Sequence, residues 1–245
     1  MAAVLNGAVL AVLCFATLLG ASHGYKHLIL MHGMLSSGAE FNTFVKRLQE
    51  THPGSTWTVI DIFNNSKSLT PMWLQTFVVG QKMQAIMDQH PEGVHLLCYS
   101  QGGLLCRSII QTLPRHNVLN FISLSSPQAG QYGDTDYLRF LFPTYVKENI
   151  YKFFYTWKGQ LVSVGNYWYD PFHQSLYRKY SLFLAELNNQ TINCTQSDEY
   201  RQNFIRLKNL ILIGGPDDGV ITPWQSRYVV CFYIIDLIES DVFVL

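Results

Sequence analysis

One serine lies in a sequence context that suits a nucleophile. The segment Cys98-Tyr99-Ser100-Gln101-Gly102-Gly103 follows an apolar run and opens a helix-like pattern. A sharp turn there would lift the Ser100 hydroxyl above a sheet edge, and small residues two before and two after it let strand and helix pass closely. The usual pattern is G-x-S-x-G, and Cys98 replaces its first glycine. An ordinary turn with a capping serine is the alternative, but the context favours a nucleophile.

Acyl transfer also needs two donors for the oxyanion that develops on the attacked carbonyl. The amide of Gln101, the residue after the serine, is one candidate. In folds with this type of serine turn, the second donor comes from the loop after an earlier strand. The amide of Met34 in His32-Gly33-Met34 fits that position. We interpret His32 as a structural residue of the turn, because the base normally comes late in the chain.

The acid of a catalytic triad is expected after a later strand. The apolar run Leu210–Ile213 is followed by a turn with Asp217 and Asp218, and the order Ser…Asp…His favours Asp218. Turn aspartates often serve only the backbone, which is the alternative. The sequence has no histidine after His173, so the base histidine is absent, and we expect the chain as written to be nearly inactive.

The elements that would position these residues follow an alternating order. Apolar runs without strict alternation fit parallel strands covered on both faces, and helical periodicity lies between them. Strand, helix, strand, helix predicts a doubly wound α/β sheet of the α/β-hydrolase type. A stretch rich in aromatic residues, about 132–207, interrupts the rhythm and is predicted to be a helical insertion. The predicted strands are 27–31, 57–62, 94–98, 121–124 and 210–213, and the predicted helices are 41–50, 72–89 and 103–112.

Composition limits the classes of function. The 245 residues suit one large domain, and 48% of them are apolar. The formal net charge is zero, so electrostatics gives no reason to expect nucleic acid as a partner. No spacing of Cys and His resembles a metal site, and we predict neither a metal nor a cofactor.

Several features indicate the secretory route. Residues 1–24 contain an apolar run and then small residues, as in a signal peptide. Three glycosylation acceptors follow, at Asn64, Asn189 and Asn193. Cys98 and Cys106 lie eight apart, which allows either a short-loop disulfide or two buried thiols. Cys194 and Cys231 have no evident partner except each other.

With these residues assembled, the chain resembles the palmitoyl-protein thioesterases, in particular their second, lysosomal type. The resemblance covers about Tyr25 to Ser226. Its most specific stretches are VHLLCYSQGGLLCR at 94–107, FISLSSPQAGQYGDTDYLRFLFPT at 121–144, NYWYDP at 166–171 and LILIGGPDDGVITPWQS at 210–226. Long matched runs are far more specific than the serine motif alone.

The resemblance implies a lysosomal enzyme that hydrolyses long-chain fatty acyl thioesters of acyl-CoA or of S-acylated proteins. By motif match it places the nucleophile at Ser100, the acid at Asp218, the oxyanion amides at Met34 and Gln101, and a disulfide between Cys98 and Cys106. Two other functions are compatible with the residues. An ester lipase uses the same triad, and a catalytically impaired form could still bind acyl groups.

The sequence departs from the family pattern in three places. Tyr169 stands where the family has a histidine, and the insertion lacks an extra cysteine pair. We expect the likeness to end after Ser226, with 227–245 a divergent apolar tail of a truncated form. Tyr228 to Ile235 could pair as a last strand, which would leave Val242 to Leu245 uncovered. Acidic residues interrupt the tail, so no stable transmembrane anchor is expected.

Overall fold

The chain folds around a parallel β-sheet, described by a computed structural model. The structure describes residues 24–133, 135–144, 147–192, 197–217, 219–227 and 242–244. The strands lie in the order β2-β1-β3-β4-β5-β6, and every neighbouring pair is parallel. They are β1 His27–Met31, β2 Trp57–Ile60, β3 Val94–Tyr99, β4 Val118–Leu124, β5 Asn209–Ile213 and β6 Val242–Val244.

The five predicted strands are confirmed, with bounds that differ by a few residues. The tail differs from expectation, because Val242 pairs with Leu210 and Val244 with Leu212 at the sheet edge. Residues Val242–Val244 therefore form a strand, which the sequence pattern did not predict. The segment from Tyr228 to Ile235, the candidate for a last strand, lies outside the described residues.

Helices connect the strands. Asn42–Thr51 (α1), Met72–Met87 (α2) and Gln101–Thr112 (α3) confirm the three predicted helices. Between β4 and β5 the chain forms further helices, in agreement with a helical character for the stretch 132–207. They are α4 Asp136–Leu141, α5 Lys147–Phe154, α6 Ser163–Asn166, α7 Gln174–Tyr180, α8 Leu184–Leu187 and α9 Ser197–Phe204.

The two faces of the sheet are buried by different helices. Alternate residues of a strand point to opposite faces, so Ile29 and Met31 of β1 join a large core with α2 and α3. Leu28 and Leu30 of the same strand join a smaller cluster, which contains Val45 of α1. Helix α9 packs on α3. The arrangement is the doubly wound sheet predicted from the sequence, and it brings the carboxyl ends of β1 and β3 side by side.

Candidate active site

Ser100 lies at a strained turn between β3 and α3. Its φ of 53° and ψ of −130° fall outside the regions that side-chain-bearing residues normally adopt. The turn is held by main-chain bonds, since the Ser100 amide donates to Leu124 O at 2.8 Å and the Gly103 amide donates to Ser100 O at 3.0 Å. This is the geometry of a nucleophile elbow. The sharp turn predicted from the serine motif is therefore present.

The glycines after the serine permit a close approach of α3 to the sheet. A Cβ at Gly102 would lie 2.3 Å from the carbonyl oxygen of His32, far inside van der Waals contact. A Cβ at Gly103 would lie 2.7 Å from Oγ of Ser126. Gly33 performs the same role from the opposite loop, since its Cβ would lie 2.9 Å from that of Ser100. The turn is therefore packed on three sides by backbone or by small side chains.

A disulfide joins the two elements that flank the serine. Cys98 on β3 and Cys106 on α3 are bonded to each other and are fully buried. The pairing implied by the family resemblance is confirmed, and the alternative of two free thiols is wrong. The disulfide explains how Cys98 is accommodated at the first glycine position of the motif, because the Cys98 side chain points toward α3.

A cavity of about 450 Å³ opens above Ser100. Its walls are largely apolar, and they come from the loops after β1 and β4, from the insertion, and from the segment after β5. The described lining residues are Met34, Leu35, Glu40, Tyr99, Ser100, Pro127, Thr135, Tyr167, Gly219, Val220 and Ile221. Met34, one of the two predicted oxyanion residues, thus shares a cavity with the predicted nucleophile.

The side chain of Gln101, the other predicted oxyanion residue, forms hydrogen bonds with two neighbouring segments of the site. Its Nε2 donates to Ser68 O at 2.8 Å, and its Oε1 accepts from the hydroxyl of Tyr167 at 3.2 Å. The same hydroxyl lies 3.7 Å from the sulfur of Met34. Tyr167, which belongs to the insertion, therefore contacts both oxyanion candidates. We did not predict this contact, although Tyr167 lies in the NYWYDP stretch that carried the resemblance.

The predicted acid, Asp218, lies outside the described residues. Its neighbour Gly219 lines the Ser100 cavity, whereas the side chain of Asp217 is exposed. The chain on one side of Asp218 is thus near the predicted nucleophile. The role of Asp218 itself stays a prediction.

His32 and His173 have hydrogen-bond partners other than Ser100. Both ring nitrogens of buried His32 face main-chain oxygens, Nδ1 at 2.8 Å from Gly33 O and Nε2 at 3.1 Å from Ile62 O. These contacts agree with a structural role. His173 pairs with Asp170 at 2.9 Å and stacks on Tyr151. No histidine is among the described residues that line the cavity.

The remaining predictions fall on several parts of the molecule. Asn189 is exposed and Asn64 is half-buried, while Asn193 and residues 1–23 lie outside the described part of the chain. In that described part, no cluster of His, Cys, Asp and Glu could hold a metal. Nor does a helix there have the length and apolar character needed to cross a bilayer.

Sequence comparison decides the family to which this site belongs. A family model described as palmitoyl protein thioesterase matches residues 27–237. The chain belongs to the palmitoyl protein thioesterase family. The match extends past Ser226 to residue 237, so the expectation that family likeness ends at Ser226 is wrong.

Members of the palmitoyl protein thioesterase family from several animals are similar to the chain. Lysosomal thioesterase PPT2 of Rattus norvegicus is 50% identical over 204 residues, which are 83% of this chain and 67% of that protein. The protein of the same name from Homo sapiens is 49% identical with the same coverage. The lysosomal thioesterase PPT2 homolog of Drosophila melanogaster is 44% identical over 220 residues, 90% of this chain and 76% of that protein.

A solved structure supports the fold. A highly thermostable carboxyl esterase from Bacillus coagulans superposes with a TM-score of 0.51 and 12% identity, over 92% of this chain and 82% of that one. At this identity the likeness concerns the fold alone. It agrees with the α/β-hydrolase architecture predicted from the strand and helix order.

Proposed function

We propose that the chain is an acyl thioester hydrolase in which Ser100 attacks the carbonyl carbon of a long-chain fatty acyl thioester, from acyl-CoA or from an S-acylated protein. The observation that carries the proposal is the strained φ of Ser100, in a turn over which a largely apolar cavity opens, in a chain of this family. Strain of this kind persists only where the surrounding structure enforces it, and it is concentrated at functional sites.

The chemistry would proceed in two steps. The Ser100 Oγ forms a bond to the acyl carbon and gives its proton to a base; the C–S bond then breaks, and the leaving sulfur takes that proton from the base and departs as the thiol. Water next attacks the acyl-serine, and the fatty acid leaves as Ser100 recovers its proton. The amides of Met34 and Gln101 are proposed as the donors to the oxyanion of both steps, and the amino-terminal end of α3 adds favourable dipoles.

Asp218 is proposed as the triad acid, and the sequence contains no histidine after it. Without a base, serine is a poor nucleophile. We therefore propose that the chain of 245 residues hydrolyses thioesters far more slowly than a relative with a complete triad. Its cavity would still bind acyl ligands, because binding needs no proton transfer.

The proposed compartment is the lysosome, reached through the secretory pathway after removal of residues 1–24. The similarity to lysosomal thioesterases supports this location, as does a disulfide in the core of the site. The proposed domain begins at residue 25 and carries the insertion of about 132–207 over the sheet.

The test compares two proteins, residues 25–245 and the same chain with a histidine-containing carboxyl-terminal segment of a family member grafted after Ser226. Palmitoyl-CoA hydrolysis should be much faster in the grafted protein. Within it, Ser100→Ala should reduce kcat by roughly 10⁶, while Ser55→Ala, at a distant turn, should leave kcat unchanged. Full activity of Ser100→Ala would overturn the nucleophile, and equal turnover by the two parent proteins would overturn the proposed impairment.

The same proteins distinguish a thioesterase from an ester lipase. A thioesterase should cleave palmitoyl-pantetheine, an uncharged thioester, with a higher kcat/KM than p-nitrophenyl palmitate. A clear preference for the oxygen ester would favour the lipase function instead.

A further inference from the structure

The cavity over Ser100 contains a single formal charge among its described lining residues, the carboxylate of Glu40. The side chain of Glu40 is exposed, and it makes no hydrogen bond or ion pair with the part of the chain that the structure describes. The apolar wall residues Met34, Leu35 and Val220 suit an acyl chain, which gains by leaving water. A solvated carboxylate suits the part of a substrate that stays in water.

The loop that carries Glu40 is fixed to its surroundings. The Gly38 amide donates to Oδ1 of Asp61 at 2.9 Å, and the Leu35 amide donates to Oγ of Ser68 at 2.7 Å. Glu40 then lies in a tight turn, Gly38–Phe41, at the start of α1. A Cβ at Gly38 would meet Val59 at 2.8 Å, so the loop packs closely on β2. The negative charge is thus attached to a hydrogen-bonded, closely packed loop that lines the cavity.

We propose that Glu40 selects substrates by the charge of their leaving thiol. The carboxylate disfavours thioesters of polyanionic thiols, such as coenzyme A with its phosphates, relative to thioesters of uncharged thiols. This inference rests on the proposed function, because it assigns the cavity to an acyl thioester.

The cavity is small enough for repulsion between Glu40 and the phosphates of a bound thiol to be measurable. A volume of 450 Å³ corresponds to a sphere about 10 Å across, which matches the distance of about 10 Å over which 0.1 M salt screens charges. At an ionic strength of 0.01 M the screening distance rises to about 30 Å. A phosphate-bearing thiol whose acyl group is in the cavity therefore remains within the field of Glu40 at low salt.

The test measures binding by the full chain, which avoids any dependence on the base. The probes are two thioethers that cannot be hydrolysed, dodecyl-coenzyme A and dodecyl-pantetheine, which share the arm next to sulfur and differ in their phosphates. Dissociation constants are measured by calorimetry at low ionic strength for the unchanged chain, Glu40→Gln and Glu50→Gln. Glu50 is exposed on α1 and does not line the cavity, so its substitution matches the change in net charge.

Glu40→Gln should tighten binding of the coenzyme A thioether about three-fold at low salt, and high salt should abolish this gain. Neither variant should change the affinity for the pantetheine thioether, and Glu50→Gln should change neither ligand. An equal effect of Glu40→Gln on the two ligands, or no effect, would overturn the selectivity while leaving the proposed function intact. If the unchanged chain binds neither thioether, the proposed function and this inference both fail.

Discussion

The packing at Gly102 gives a sharp prediction about folding stability. In Gly102→Ala the new methyl carbon would start 2.3 Å from His32 O and 2.8 Å from Met31 O. Ordinary contact begins near 3.4 Å, so the gap is short by about 1.1 Å (3.4 − 2.3). Both oxygens belong to the main chain at the end of β1, and main-chain atoms cannot rotate away as a side chain would. Overpacking of this kind typically costs about 1–3 kcal/mol.

The matched control is Gly80→Ala in α2. There the new methyl would lie 3.8 Å from Cγ1 of Ile109, an ordinary contact, and helix propensity favours alanine by about 0.5–1 kcal/mol. Urea unfolding of both variants should show Gly102→Ala losing about 2–3 kcal/mol of free energy of unfolding and Gly80→Ala gaining a fraction of a kcal/mol. A Gly102→Ala protein as stable as the parent would refute the inference that α3 needs a glycine here to approach the sheet.

Three further predictions concern other parts of the molecule. Replacing Cys98 and Cys106 together by alanine should cost about 2–3 kcal/mol in urea unfolding, because the disulfide closes a short loop in the unfolded chain; an unchanged midpoint would contradict this. Burial first, and then nearby His90, lowers the pKa of His27, so the folded state resists its protonation and stability falls as pH drops below about 6.5. His27→Gln should therefore lose less stability between pH 7 and 5 than the parent, and an equal loss would count against it. When both proteins are expressed in mammalian cells, Asn189→Gln should run faster than the parent on a denaturing gel, because it lacks the glycan of the exposed Asn189. Identical mobility would show that this site is not used.

The sequence predicted the elements around the site because their patterns are local. The apolar run at β3 and the glycines after Ser100 determine a strand, a turn and a helix without reference to distant residues. The Cys98–Cys106 disulfide required the family resemblance, because spacing alone was also compatible with free thiols.

Features that depend on distant packing were not predictable in the same way. Tyr167 reaches Gln101 across 66 positions of sequence, and no periodicity carries that information. Glu40 was not singled out either, because an exposed glutamate at the start of a helix is usually only a solvated charge. The short strand β6 was missed because three apolar residues at the chain end have no pattern of their own; its pairing with β5 defines it.

The order of the strands also determines when the sheet can be assembled during synthesis. Strand β1 is the first to be made, yet both its neighbours, β2 and β3, come later in the chain. A ribosome that adds about 5–20 residues per second must therefore extend the chain by more than sixty residues, from Met31 to Val94 and beyond, before β1 has strands on both edges. During those seconds an apolar strand has open edges, which are prone to pair with other chains. Strand β4 waits longer still for its second neighbour, from Leu124 to Asn209, so the demand for chaperones should persist until β5 has emerged, whatever the stability of the finished fold.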